Sequence, residues 1–224
     1  MHTQLTQSIE DYLKAIYACT LEGERATTNQ LAERLGVAAA SVTGMLQKLT
    51  ATHPPLVDYQ KHRGALLTPD GERVALEVLR HHRLLEMFLH QVLGYEWDAV
   101  HAEADRLEHV ISEEFEERMA VRLGNPQHDP HGDPIPSRDL HMPDTPSLTL
   151  FDLHPGQTAV VHRVESADPE LLRYLGGLGV VPQAVVEALI YSPYDENLTL
   201  AVEGRPGKVV LGPRLTKAIF IELK

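Results

Sequence analysis

Cysteine is almost absent from this chain of 224 residues. Cys19 stands alone, so no internal disulfide can form and a reducing compartment is expected. It sits in an apolar helical pattern with no thiol neighbour and reads as a small core residue. Long apolar runs are missing too: none approaches the roughly 20 residues needed to span a bilayer, so no membrane partner is expected. The opening MHTQLTQSIEDYL lacks a charged-then-apolar export pattern, which makes a cytoplasmic location the expectation. There is no H-E-x-x-H and no evident nucleophile beside a base, so no catalytic residue and no small-molecule substrate is expected. Surplus positive charge is absent as well. Lys and Arg number 20 against 32 Asp and Glu, a net charge of −12, which argues against indiscriminate nucleic-acid binding.

That acidity is unevenly spread. Residues 1–75 hold seven Lys/Arg against eight Asp/Glu, a net of −1. Residues 76–140 hold six against fourteen, a net of −8, and residues 141–224 seven against ten, a net of −3. The middle of the chain is where cations would bind, and the first segment can still approach a phosphate backbone.

Residues 5–20 predict a first helix, with Leu5, Ile9, Tyr12, Leu13, Ile16 and Tyr17 on its apolar side. Ser8 followed by Asp11 matches a capping box, which would make Asp11 a helix-end residue. TTNQLAERLGVAAASVTGMLQKLTA then predicts a helix from Thr28 to Leu35 that stops at Gly36, and a second from about Ala39 to Leu49. Two short helices joined by a Gly-containing turn form a helix-turn-helix. The second buries Val42, Leu46 and Leu49 and leaves Ser41, Thr43, Gly44, Gln47 and Lys48 free to face a groove. LVDYQKHRGALLT reads as strand, turn and strand, with a basic tip of Lys61, His62, Arg63 and Gly64 suited to a wing against DNA. Thr68 as N-cap and Pro69 as first helical residue begin a long helix. The helices beyond it carry more apolar surface than one wing domain can cover. A two-fold homodimer on a palindromic operator uses that surface.

The stretch His82–Glu114 is the chemical centre of the sequence. Val100, Ala104, Leu107, Ile111 and Phe115 recur at helical intervals and predict one amphipathic helix. Beside that stripe run His101, Asp105, Glu108 and His109, whose offsets of four, seven and eight share one helical face. His82 and Glu86 are four apart on the preceding helix. Carboxylates next to a core stripe are costly unless a positive charge meets them, and imidazole with carboxylate suits manganese, iron, zinc or nickel. A solvated acidic face is the competing reading. From Gly124 to Ser147 the composition turns to Pro, His and Asp. His128, His131 and His141 could form a metal tract there, but irregular Pro-rich spacing favours a connector. QTAVVHRVE, AVVEALIY, NLTLAVE and KVVLG read as strands, with a helix at PELLRYLGGLG, together a small SH3-like barrel. Asp168 and Glu170 at that helix's start are its plausible ligands, or simply acids complementing the helix dipole.

EDYLKAIY, SVTGMLQKL, HRLLEMFL, DRLEHVISEE, DPHGDPIP and LGGLGVVPQAVVEAL together resemble the diphtheria toxin repressor family of metal-dependent transcriptional repressors, across essentially the whole chain. The resemblance implies a mainly α chain with a β C-terminal domain: a winged helix-turn-helix over residues 1–74, a helical metal-binding and dimerisation domain over 75–141, a linker at 142–148 and an SH3-like (FeoA-like) domain over 149–224. It implies two metal sites per subunit. The primary one falls on Asp11, Asp105, Glu108 and His109, with His82 close enough to join. The second falls on His82, Glu86 and His101, completed from the barrel by Glu170. The remaining position aligns near Ala167, which cannot ligate, so Asp168 or Glu165 would substitute. Ser41 and Thr43 match phosphate-contacting positions and Ala40 and Gly44 base-contacting ones, so sequence choice would rest on apolar contact and DNA shape.

Iron-sensing members of that family carry Met and Cys where this chain has Asp11 and Asp105. Carboxylates in place of sulfur favour a harder ion, so Mn²⁺ is expected, with Fe²⁺ the alternative. The manganese branch's extra Glu, one turn after Asp11, is Lys14 here. The implied function is repression of metal-uptake genes when metal is bound. The metal would act as a staple between Asp11 on the DNA-binding part and the ligands of the helical part. A metal-binding hydrolase or a metal-buffering protein would use the same cluster without needing a winged helix.

Overall fold

A computed structural model describes residues 5–21, 23–165 and 168–224. The chain forms two compact units. One holds the N-terminal part to His81 together with Glu108–Ile111 and Pro136–His141. The other holds His82–Leu107, Ser112–Ile135 and Met142–Lys224.

The first unit begins with α1 (Gln7–Cys19), α2 (Thr28–Leu35) and α3 (Ala39–Thr50). Thr27 and Gln30 close a capping box on α2, and Gly36 ends that helix in the left-handed conformation, which glycine adopts without a Cβ penalty. Two helices held at a short, fixed turn result. Strands β1 (Val57–Gln60) and β2 (Gly64–Leu67) pair antiparallel, from Val57 opposite Leu67 to Gln60 opposite Gly64. Gly64 is required there: its φ is +99° and a Cβ would meet the Ala26 carbonyl oxygen at 2.6 Å. Leu13 and Ile16 of α1, Leu31 of α2, and Val42, Leu46 and Leu49 of α3 are all fully buried in one core with Val57 and Ala65 of the hairpin. The helix-turn-helix and its wing are therefore a single packed body.

Helix α4 (Pro69–Gln91) starts as its sequence indicates, with the Thr68 hydroxyl accepting from the Gly71 amide at 3.2 Å. The single helix expected over the acidic stripe is instead two, α5 (Val100–Leu107) and α6 (Glu113–Arg122). Ser112 caps α6 by accepting from the Phe115 amide, and Glu113, Glu114 and Glu116 fill its first turn, where they complement the helix dipole. Glu108 and His109 consequently lie in the turn between the two helices. Phe115, fifth in the apolar stripe, is left 46% exposed.

The second unit also contains a five-stranded antiparallel sheet of β3 (Thr158–Val164), β4 (Val185–Ser192), β5 (Asn197–Val202), β6 (Val209–Leu211) and β7 (Ile219–Leu223), in the order β6-β5-β4-β3-β7. A 3-10 turn (Leu150–Asp152), α7 (Pro169–Leu178) and the short α8 (Pro213–Thr216) complete it. Its core joins Leu150, Val161, Val186, Leu200 and Ile221 to Leu172 and Leu175 of α7. Strand β7 was not among the expected strands. Residues 142–148 have no helix or strand. Earlier in the same Pro-rich stretch the chain is anchored. The Val164 amide donates to the His131 carbonyl at 2.9 Å, and Arg163 donates to Asp133 at 3.1 Å. Gly132, at φ +87°, lies so close to β3 that a Cβ would stand 2.0 Å from the His162 carbonyl oxygen.

Candidate functional site

The first cluster lies within the N-terminal unit. Helix α1 takes Thr6 as its N-cap, not Ser8, so Asp11 stands inside the helix and its carboxylate is not consumed in capping. His109 Nε2 lies 2.9 Å from Asp11 Oδ1 and 3.2 Å from Glu108 Oε1. His109 Nδ1 lies 2.6 Å from Glu10 Oε2. When Nδ1–H donates to Glu10, Nε2 presents its lone pair to two carboxylate oxygens, and a proton or a cation must separate them. The Glu108 backbone carbonyl sits 3.0 Å from His81 Nδ1, which pins the turn carrying both Glu108 and His109. Burial pushes the Asp11 carboxyl above its ordinary range, with Glu108 adding to the effect and His109 and Lys14 opposing it.

The second cluster lies in the other unit. His82 Nε2, His101 Nδ1 and Glu86 Oε1 form a triangle with edges of 2.9, 3.0 and 3.0 Å. Two donors each about 2.1 Å from an ion and at right angles are themselves about 3.0 Å apart. This triangle therefore fits one face of an octahedrally coordinated divalent cation, and the oxygen and imidazole donors suit Mn²⁺, Fe²⁺ or Zn²⁺. Asp105 Oδ1 is 3.4 Å from His82 Nδ1, and Asp105 Oδ2 is 3.6 Å from His101 Nε2.

Behind Glu86 lies a buried extension that sequence patterning reads as connector. His131 Nδ1 is 3.8 Å from Glu86 Oε2. Asp129 Oδ1 accepts from the amides of His131 at 2.8 Å and Asp133 at 3.0 Å. Burial opposes ionisation of Glu86, but the His82 charge and hydrogen bonds from His101, His131 and His82 outweigh it and hold its carboxyl well below the usual range. Burial lifts Asp129 well above that range, reinforced by the nearby Glu86 and Asp133. For His131, burial alone would favour the neutral ring. The hydrogen bond and charge of Glu86, with Asp129 and the Trp97 carbonyl, override it and raise the imidazole to about 9.

Asp168 caps α7, accepting from the Glu170 amide at 3.0 Å. Among the described residues no cluster of three candidate donors includes Asp168 or Glu170. Glu165 is 3.9 Å from Arg163, and Ala167 lies outside the described residues. Glu10 and Asp129 were missed as partners, and His131 was set aside with the connector. The acidic neighbour of Asp11 was the available hint for the first, and a DPH triplet for the others.

The DNA-facing candidates lie on α3 and the wing. Ala40, Ser41, Gly44, Gln47 and Lys48 are exposed, as are Lys61, His62 and Arg63. Nothing lies within 4 Å of where a Gly44 Cβ would stand, so a groove can approach the helix backbone there. Thr28 and Thr43 are half-buried, and the Thr43 hydroxyl donates to the Ala39 carbonyl at 3.1 Å. Arg25 pairs with Asp58 and braces the base of the wing.

A winged helix-turn-helix in one chain with histidine-carboxylate clusters of metal-ligand geometry defines a DNA-binding regulator governed by a divalent ion. Three family models cover almost all of the chain. They are the iron dependent repressor N-terminal DNA binding domain over residues 4–65, the iron dependent repressor metal binding and dimerisation domain over 68–137, and the FeoA domain over 148–223. The iron-dependent repressor IdeR of Mycobacterium leprae is 34% identical over 219 residues, covering 89% of this chain and 94% of that protein. The diphtheria toxin repressor of Corynebacterium jeikeium is 34% identical over 149 residues, 66% of this chain and 61% of that one. Among solved structures, a manganese-dependent transcriptional repressor in complex with manganese superposes with a TM-score of 0.87 at 37% identity, covering 96% of this chain and all of that one. ScaR with bound Zn²⁺ gives 0.78 at 32%, covering 96% and 98%.

The chain belongs to the iron-dependent repressor family, whose motifs it carries. It is a metal-dependent transcriptional repressor and not an enzyme, with helical DNA-binding and dimerisation domains and an SH3-like C-terminal domain. Among the described residues no helix is long and apolar enough to cross a membrane.

Proposed function

We propose that this repressor responds to Mn²⁺, acts in the cytoplasm as a homodimer on a palindromic operator, and takes two ions per subunit. Fe²⁺, which accepts the same donors, is the alternative. The first ion would be held by Asp11, Glu108 and His109, the second by His82, Glu86 and His101, with Asp105 beside the latter two histidines. Asp129 and His131 support Glu86 from behind. Neither set contains sulfur, and carboxylate with imidazole favours a hard divalent ion. Bound there, the ion supplies positive charge that reconciles carboxylates otherwise repelling one another. DNA contact would come from Ser41 and Thr43 to phosphates, Ala40 and Gly44 at base edges, and Gln47, Lys48, Thr28, Lys61 and Arg63 around them. The target genes would be those for metal uptake.

The observation that carries this reading is the convergence of Asp11 on α1 with His109, 98 positions away along the chain. Leu13 and Ile16 of α1 share a core with Val42, Leu46 and Leu49 of α3. Anchoring Asp11 thereby fixes the recognition helix, and by reciprocity operator DNA tightens metal binding. The test is operator retention by chelator-stripped protein titrated with Mn²⁺, Fe²⁺ and Zn²⁺. Mn²⁺ should restore binding at micromolar concentrations, and Asp11→Ala should abolish the restoration while sparing the dimer. Retention that ignores metal, or that Asp11→Ala leaves unchanged, refutes the reading.

A further inference from the structure

We propose that Lys14 is a tethered competitor for the ion at the first cluster and sets the metal concentration at which the repressor responds. Lys14 lies three residues after Asp11 on α1, and its Nζ stands 2.6 Å from Glu108 Oε1. That is the same oxygen that lies 3.2 Å from His109 Nε2. The Glu108 side chain is 1% exposed, whereas that of Lys14 is 24% exposed. A buried carboxylate needs a positive partner, and without metal the ammonium supplies it. A divalent ion bound by Asp11, Glu108 and His109 must then take that oxygen from the ammonium or share the carboxylate with a like charge a few ångströms away. The long, partly exposed lysine stem allows the ammonium to withdraw to water. One turn of α1 thus carries both a ligand and the charge that holds another ligand in reserve.

The inference rests on the first cluster being a metal site, and the experiment separates the two. Full-length, chelator-stripped protein is titrated with Mn²⁺ by calorimetry. The reading is taken from the phase of the isotherm that Asp11→Ala removes. Lys14→Met, which keeps the stem and deletes the charge, should tighten that phase at least about tenfold, as removal of a like charge within a few ångströms does for other charged equilibria. Lys14→Arg should leave it within about threefold, since the charge remains. In the absence of metal, Lys14→Met should also melt below the parent protein, because Glu108 loses the ammonium 2.6 Å from its carboxylate, while saturating Mn²⁺ should raise its melting temperature by more. If Lys14→Met does not fold, Lys14→Gln prepared in the presence of Mn²⁺ and then stripped gives the same comparison. Unchanged or weaker Mn²⁺ affinity in the neutral variants, with the Asp11-dependent phase intact, overturns the competition. An isotherm that Asp11→Ala and His109→Ala both leave unaltered overturns the site and the competition with it.

Discussion

Replacing Glu86 by Gln isolates the electrostatics of the second cluster. The Glu86 side chain is 2% exposed and faces His82 and His101 at 2.9 and 3.0 Å through one oxygen and His131 at 3.8 Å through the other. Deleting one member of a buried charged network costs roughly 3–5 kcal/mol. An independent figure comes from His131. Its displacement from 6.5 to about 9 corresponds to roughly 3 kcal/mol of preference for the charged ring, and Glu86 is the main source of that preference. The two figures agree. The pH dependence follows from the direction of each displacement. The raised imidazole stabilises the folded chain fully below its unfolded value of 6.5, and this is lost as pH rises through about 9. The lowered Glu86 carboxyl contributes above its ordinary value of 4.5, and this is lost as pH falls through its depressed folded value. In the presence of chelator, Glu86→Gln should therefore unfold at lower denaturant than the parent between about pH 5 and 8, with the gap narrowing as pH rises from about 6.5 through 9. A deficit below about 1 kcal/mol at pH 7, or one equally large at pH 7 and above 9, would refute the reasoning.

Two further substitutions test the anchored loop and the wing. Gly132→Ala should lower the melting temperature more than Gly156→Ala. Both glycines have φ of +87°, but a Cβ at Gly132 meets the His162 carbonyl oxygen at 2.0 Å, whereas Gly156 has open space; equal losses would show that the close approach to β3 does not matter. Lys61→Ala and Arg63→Ala, at exposed positions, should each reduce the salt dependence of operator binding by about one unit of slope without altering sequence preference. An unchanged slope would take the wing tip off the phosphate backbone.

Signals confined to a few residues were legible in the sequence. Gly36, and Thr68 with Pro69, each fix a helix end by a single backbone angle or a local hydrogen bond. The wing was legible too, because its period of two contrasts with the flanking helices. The division of the acidic helix was not. Val100, Ala104, Leu107, Ile111 and Phe115 keep helical spacing straight through the break, and Ser112 with the acids after it was the only counter-signal. Composition also misread the Pro-rich stretch. Asp129 is buried because it accepts from two amides of its own loop, and His131 is buried because Glu86 awaits it from a distant helix. Such partnerships have no spacing to betray them. His82, Glu86, His101, Asp105, Glu108 and His109 were singled out by residue type and helical offset and Asp11 by the family resemblance, whereas Glu10 as the partner of His109 depends on how α1 packs.

The single core shared by α1 and α3 has a genetic consequence. Leu13, Ile16, Leu46 and Leu49 are fully buried in it and are not among the proposed metal- or DNA-contacting residues. With Asp11 as the proposed ligand on α1, any substitution that lets α1 slide on α3 would loosen the link between metal binding and operator binding. A selection for cells that express the target genes constitutively would therefore recover conservative changes at these positions as well as changes at the proposed ligands. Across related chains, the setting of the response to metal can drift through such interior exchanges while every ligand and every DNA-facing residue stays the same.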